Sequence, residues 1–185
     1  MQIRLASTIQ PDSILDGEGI RTVIWTQGCS HNCLGCHNPN THDFNGGMSV
    51  DINDLKEQIS NLKCQDGITL SGGDPFFQAK ACAEIAAYAH ELNLNVWCYT
   101  GFTFEELMNM TSKNKAILDL LNQVDVLIDG KFMLDKKSLN VPFRGSTNQR
   151  IIDVKASLKE NKVVEIPKYI YHKDDYFSYK EHVFV

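Results

Sequence analysis

Three cysteines crowded into eight residues constrain this chain more than anything else in it. Cys29, Cys33 and Cys36 lie in Gly28-Cys29-Ser30-His31-Asn32-Cys33-Leu34-Gly35-Cys36-His37-Asn38-Pro39, a Cys-x3-Cys-x2-Cys spacing with no fourth cysteine nearby. A tetrahedral structural metal site takes four protein ligands. Three thiolates on a four-iron cluster leave one iron open to bind something else, which points to a catalyst. The plainer alternative is a zinc site completed by His31, His37 or His42. Three disulfides are a poor reading of the six cysteines, because a chain of 185 residues has room for a substantial core and needs no such staples.

The apolar pattern sets that loop in an alternating frame of strands and helices. Thr22-Val23-Ile24-Trp25-Thr26 reads as a strand running into the cysteine loop. Ile52, Leu55, Ile59 and Leu62 recur at helical steps. Ile68-Thr69-Leu70 is a short strand ending at Ser71-Gly72-Gly73-Asp74-Pro75, and Ala79, Cys82, Ile85, Ala86, Ala89 and Leu92 form the core side of the next helix. Asn95–Tyr99 is another strand, Thr103-Phe104-Glu105-Glu106 opens a helix with a capping box, Val124–Ile128 is a strand ending at Asp129-Gly130-Lys131, and Arg150–Val154 is one more. Such alternation predicts right-handed βαβ units and a parallel sheet. The chain is short for a closed eight-unit barrel, which takes about 250 residues, so an open partial barrel in one domain, residues 1–185, is expected.

The polar motifs fall where strands end: the cysteines, Gly72-Gly73-Asp74, Thr100, then Asp129 and Lys131. Parallel α/β sheets place their sites at that edge. Net charge is −5, which leaves no basic footprint for nucleic acid. No apolar run approaches the roughly 20 residues of a membrane span, and the N-terminus lacks a signal peptide's apolar core. A cytoplasmic chain with no membrane partner is expected.

With those motifs in hand, the chain resembles the radical S-adenosylmethionine activases of glycyl-radical enzymes. Asp16-Gly17-Glu18-Gly19-Ile20-Arg21-Thr22 and Gly28–Pro39 look like their cysteine region, and Ser71–Pro75 resembles their glycine-rich S-adenosylmethionine motif. Asp125–Phe132 and Phe143-Arg144-Gly145-Ser146-Thr147-Asn148-Gln149-Arg150 are similar to the branch that activates anaerobic ribonucleoside-triphosphate reductase. The likeness covers a core of about residues 12–154, leaving 155–185 as a C-terminal extension. Two positions depart from it: Glu18 stands where many activases have proline, and Gly35 where many radical enzymes carry an aromatic.

The resemblance implies an α/β, single-domain open partial (β/α) barrel of the radical S-adenosylmethionine type. It implies one [4Fe-4S] cluster on Cys29, Cys33 and Cys36, which act catalytically through it, with S-adenosyl-L-methionine as co-substrate. Gly35, Cys36, His37, Gly72, Gly73, Asp74, Asp129 and Lys131 are the cofactor-binding candidates. Reductive cleavage of the co-substrate gives a 5′-deoxyadenosyl radical, which takes a glycine α-hydrogen from the partner. That partner is the catalytic subunit of the reductase, and a low-potential donor such as flavodoxin supplies the electron, in an anaerobic cytoplasm.

Three other functions stay open at this level. They are a radical enzyme acting on a small molecule, like 7-carboxy-7-deazaguanine synthase, an activase of another glycyl-radical enzyme, and a non-catalytic zinc module. Arg144, with Asn148 and Gln149, could bind cofactor, shape a partner groove or tie down a loop. Cys64, Cys82 and Cys98 lack cluster spacing, and Cys82 belongs on an apolar helix face. His90, His172 and His182 are scattered, and Tyr169, Tyr171, Tyr176, Phe177 and Tyr179 make an aromatic tail whose simplest role is packing.

Overall fold

The computed structural model describes residues 1–170. Its strands join one sheet. The N-terminal hairpins supply β1 (Gln2–Leu5), β2 (Gln10–Ser13), β3 (Arg21–Thr26) and β4 (Met48–Asp51). Alternation then begins: α1 (Ile52–Ser60), β5 (Gly67–Gly72), α2 (Ala79–Glu91), β6 (Asn95–Tyr99), α3 (Phe104–Thr111), α4 (Lys115–Leu121) and β7 (Val126–Asp129). β8 (Arg150–Asp153) and α5 (Val154–Glu160) follow. The order is β4-β1-β3-β5-β6-β7-β8, with β2 also beside β3. Tyr171, Tyr176, Phe177, Tyr179, His172 and His182 lie outside the described residues.

Only the centre matches the expected parallel sheet. β3, β5, β6 and β7 run parallel, whereas β1, β2, β4 and β8 pair antiparallel. A parallel return needs a crossover, usually helical. The segment between β7 and β8 contains only one turn of 3₁₀ helix, at Leu134–Lys136, so the chain comes back antiparallel. Among the described residues β4 and β8 end this order and do not pair with each other, so the sheet is open.

Alternation along the strands sends side chains to two faces. Ile24, Ile68, Leu70, Val96, Cys98 and Leu127 pack with the buried sides of α1, α2, α3 and α4 in the main core. Cys82 and Cys98 are both fully buried there. Thr103 and Glu106 form the capping box read from the sequence, while Asp51 and Asp153 cap α1 and α5. Leu62 lies beyond the end of α1.

The other face carries Trp97, Ile128 and Ile151, covered by Tyr169, with the wholly buried Arg21 beside them. The Arg21 guanidinium lies 5.2 Å from the Trp97 ring centre. It donates to Thr69 Oγ1 at 2.7 Å, to Asn95 Oδ1 at 2.8 Å and to the Glu18 carbonyl at 3.0 Å. Burial lowers its pKa to about 10, so it stays charged at neutral pH. Gly17 explains part of the Asp16–Thr22 motif: a Cβ there would sit 2.8 Å from both Arg21 and Trp97. Among the described residues, no helix is long and apolar enough to cross a membrane.

Candidate active site

The parallel strands deliver their motifs to one edge. β3 ends at Thr26 and leads into the cysteine loop, which is pinned at its base where Gly28 N donates to Thr41 O and Cys29 N to His42 O. A short 3₁₀ turn, Pro39–Thr41, brings the chain back for that pairing. Cys29 is buried, and Cys33 and Cys36 are partly exposed.

One sulfur accepts a backbone hydrogen bond: Asn38 N donates to Cys36 Sγ at 3.4 Å. Among the described residues, no three His, Cys, Asp or Glu side chains close around a single ion's position. Three separate thiols suit ligands on separate irons of one cluster. In the free protein Cys29 and Cys33 are thiols. Burial pushes Cys29 up to about 11, the His31 amide pulls the other way, and Asp74 and the neighbouring cysteines add to the rise. Cys33 is also raised by burial, against the pull of the Phe132 amide and the Lys131 charge. Taking up metal must therefore release protons.

Gly72 and Gly73 are glycines because backbone crowds them. Gly72 has φ +102°, and a Cβ there would lie 2.5 Å from Thr26 O. At Gly73 it would lie 2.4 Å from Gly28 O. Gly73 N donates to Thr26 O and Asp74 N to Gly28 O, so the glycine motif is bonded directly to the root of the cysteine loop. The close approach expected of a ligand is made by the chain itself.

Asp74 is wholly buried and fully engaged. Its Oδ1 accepts from Phe76 N at 2.9 Å; its Oδ2 accepts from His31 Nε2 at 2.7 Å, Thr100 Oγ1 at 2.8 Å and Gly101 N at 2.9 Å. Asp129 is equally committed. It takes two bonds from Arg150 and one from Phe104 N, rather than pairing with Lys131. Both carboxylates hold strand ends together, so neither is free in this geometry to grip a small molecule. Lys131 is exposed beside Cys33 and remains available.

Gly35, with φ +74°, turns the loop toward Leu134; a Cβ there would sit 3.1 Å from its Cδ1. The His37 ring lies 4.7 Å from that of Phe132. With Trp25, Asn38 and Pro39, His37 also lines a cleft of about 330 Å³ on the flank of the cysteine loop. Arg144 ties down a loop, donating to Gln149 O at 3.0 Å and Tyr169 O at 2.6 Å, and Gln149 Oε1 accepts from Gly145 N. Asn148 Nδ2 donates to Lys131 O. Two buried atoms, Arg144 Nε and Asn148 Oδ1, have no partner within the described structure. Of the two, Asn148 Oδ1 belongs to the side chain that holds the Lys131 carbonyl. His90 pairs with Asp125, away from the site, and Cys64 is exposed.

Sequence reasoning singled out the cysteines and glycines but missed Phe132, Asn38 and Arg150, and weighed His31 only as a zinc ligand. Two of those contributions are backbone amides, which leave no mark in residue type. Arg150 was detectable only with the antiparallel register of β8 in hand.

A thiol triad at the C-terminal edge of parallel strands describes a protein built around one iron–sulfur centre, and residues 15–152 match the family model for a 4Fe-4S single cluster domain. Curated relatives narrow this further. The anaerobic ribonucleoside-triphosphate reductase-activating protein of Pasteurella multocida is 36% identical over 152 residues, 76% of this chain and 92% of that relative. The protein of the same name from Escherichia coli K12 is 33% identical over 151 residues, covering 75% and 92%, and that of Enterobacteria phage T4 is 32% identical over 149 residues, covering 77% and 90%. The chain belongs to the family of anaerobic ribonucleoside-triphosphate reductase-activating proteins. Among solved structures, QueE from Escherichia coli overlaps 56% of this chain and 54% of its own, at 14% identity and a TM-score of 0.46.

Proposed function

We infer that this chain activates anaerobic ribonucleoside-triphosphate reductase by generating a glycyl radical on its catalytic subunit. One observation carries the reading: three free thiols stand on the loop after β3, at the strand-end edge of a chain whose relatives are named for that activation. When bound, the [4Fe-4S] cluster supplies the electron that cleaves S-adenosylmethionine reductively, and the 5′-deoxyadenosyl radical so released takes the α-hydrogen of a glycine on the partner.

The chain's own work is to bind, orient and exclude water. Cys29, Cys33 and Cys36 hold the cluster. The backbone around Gly72 and Gly73 receives the amino group of S-adenosylmethionine, Lys131 meets its carboxylate, and Gly35 and His37 lie against the adenosyl portion. Asp74 and Asp129 act one step back, holding the strand ends on which those residues sit. No acid–base residue is required for a hydrogen-atom transfer. The open sheet is the wall of a partial barrel of the radical S-adenosylmethionine type, residues 1–185 forming one domain, and its unclosed side admits the glycine-bearing segment. A low-potential donor such as flavodoxin supplies the electron in an anaerobic cytoplasm.

The test is anaerobic electron paramagnetic resonance on the reduced, cluster-loaded protein mixed with S-adenosylmethionine and the reductase subunit. A glycyl-radical doublet on the partner that needs all three cysteines upholds the reading. 5′-Deoxyadenosine without a doublet keeps the cleavage chemistry and rejects the partner. Neither product, with a full cluster, rejects the mechanism.

A further inference from the structure

Residues 130–149, the segment that returns β8 antiparallel, form a pinned arm. Lys137 and Ser146 pair antiparallel, Thr147 N donates to Lys136 O at 2.9 Å, Ser138 N to Gly145 O at 3.2 Å and Met133 N to Ser146 Oγ at 3.2 Å. The arm lies against the cysteine loop. A Cβ on Gly35 would meet Leu134 Cδ1 at 3.1 Å and Phe132 at 3.5 Å, and the Phe132 ring stands 4.7 Å from that of His37. Apolar side chains face solvent along this seam. Leu34 is 78% exposed, Leu134 is half-exposed, and Leu139, between the bonded strands of the arm, is 94% exposed. Val141, two residues on, is only 4% exposed, so the arm does not expose every apolar residue it carries. A lone exposed leucine says little. Two loops that bring theirs together at the rim of a site make the kind of patch that marks an interaction. Lys136 and Lys137 are exposed between Leu134 and Leu139, beside a single carboxylate, Asp135, in a chain of net charge −5.

We propose that Leu34, Leu134 and Leu139, with Lys136 and Lys137, are the docking surface for the glycine-bearing segment of the reductase's catalytic subunit, which meets them with apolar side chains and carboxylates. This rests on the function inferred above. Reach decides between the occupants. A hydrogen transfer needs its reacting atoms within about 3–3.5 Å of each other. The partner that gives up the hydrogen must therefore seat its own chain at the rim of the cofactor site, and Gly35 on that rim lies against Leu134. An electron donor needs no such atomic contact. A stable pair of copies of this chain would bury about 1,200–2,000 Å², more than three leucines and two lysines offer. A substrate that leaves after one hydrogen transfer suits a small patch.

The test is binding without turnover. The cluster-loaded protein, left oxidised and supplied with S-adenosylmethionine, is titrated anaerobically with the reductase's catalytic subunit by calorimetry, and amide exchange of residues 130–149 is followed with and without the subunit. The subunit is expected to slow that exchange in the parent. Leu34→Ser with Leu134→Ser is expected to weaken binding roughly ten- to a hundredfold, the worth of about one buried leucine. Lys136→Glu with Lys137→Glu is expected to weaken binding and flatten its salt dependence. Both double variants should cleave S-adenosylmethionine like the parent when reduced without the subunit, which separates docking from the cofactor site. Leu15→Ser is the control: it removes an equally exposed leucine near the Arg21 end of β3, and should bind like the parent. Parent affinity in either double variant overturns the proposal, as does loss of uncoupled cleavage in them or an equal loss of binding in the Leu15 control. So does self-association of the parent that the leucine variant abolishes, which would give the patch to a second copy. If the leucine pair does not fold, Leu139→Ser must itself weaken binding, and an unchanged affinity there overturns the proposal. The inferred function fails separately: a parent that does not bind the subunit at all rejects the partner, whereas a parent and variants that bind equally reject only the docking surface.

Discussion

Asp129 and Arg150 are register partners across the antiparallel β7–β8 ladder, and the guanidinium clasps both oxygens of the carboxylate. Phe104 N donates to the same group, and Glu105 grips the far side of the guanidinium. Asp129 is 1% exposed, so removing Arg150 strands a buried charge. Arg150→Ala is expected to destabilise the protein by about 3–5 kcal/mol. Arg150→Lys should recover only part of this, because an ammonium cannot reproduce the two-pronged contact. Denaturant midpoints decide it; a loss below about 1 kcal/mol for alanine contradicts the structural role.

Glu105 makes the acid limb of stability testable. Its hydrogen bonds from Arg150 hold its pKa at about 2, below the ordinary 4.5. A carboxylate depressed by folding stabilises above its unfolded value, and that contribution fades as pH falls from about 4.5 toward 2. Its side chain is 57% exposed, so the contribution is small, less than about 1 kcal/mol. Melting temperatures of Glu105→Gln should fall less steeply than the parent's across that window and run parallel to them above it.

The two glycines of the second motif should be intolerant even without cofactor. Gly72→Ala combines a positive φ with a clash on Thr26, and Gly73→Ala drives a methyl into Gly28 O. Each is expected to lose more than about 1 kcal/mol in the cluster-free protein. Parent-like stability in that form would mean that the motif answers to the ligand alone.

The six cysteines should divide cleanly. Alanine at Cys29, Cys33 or Cys36 is expected to abolish cluster retention, whereas Cys82→Ala and Cys98→Ala lower stability and leave iron content unchanged. Iron and acid-labile sulfide per chain, after anaerobic reconstitution, report the difference. Parent-like S-adenosylmethionine cleavage by any variant of the triad would defeat the ligand assignment.

Lys131→Ala should leave the cluster intact and weaken S-adenosylmethionine binding roughly ten- to a hundredfold, as expected for one charge-assisted hydrogen bond. Calorimetry on the loaded protein measures it. An unchanged affinity would return Lys131 to the solvent.

What could be read in the sequence was whatever repeats or stands out chemically. Asn95–Tyr99 emerged with both ends correct because apolar residues form a short run between turns, and Thr103–Glu106 announced its helix through side chains that bond each other. β2, Gln10-Pro11-Asp12-Ser13, escaped because an exposed polar strand has no alternation to detect. β8 was seen, but not its direction, which depends on how residues 130–149 travel rather than on residues 150–153. The site divides the same way. The strand-end motifs were expected to converge, and Asp74 does join the cysteine loop to Thr100 and Gly101. The work of Asp74 and Asp129 could not be read, because a carboxylate at a strand end looks the same whether it meets a ligand or a buried neighbour.

Phe132, whose amide counters the pKa rise of Cys33, follows β7, a different strand end from the cysteine loop. During synthesis the ribosome makes the whole triad well before that donor exists: 132 − 36 leaves 96 residues to be added. At roughly 5–20 residues per second, this is an interval of about 5–20 s. A nascent chain thus exposes three thiols before the Phe132 and Lys131 side of the site has been made, and the site is complete only after β7 has docked. Until β7 docks, oxidants and stray metal ions meet an unfinished site.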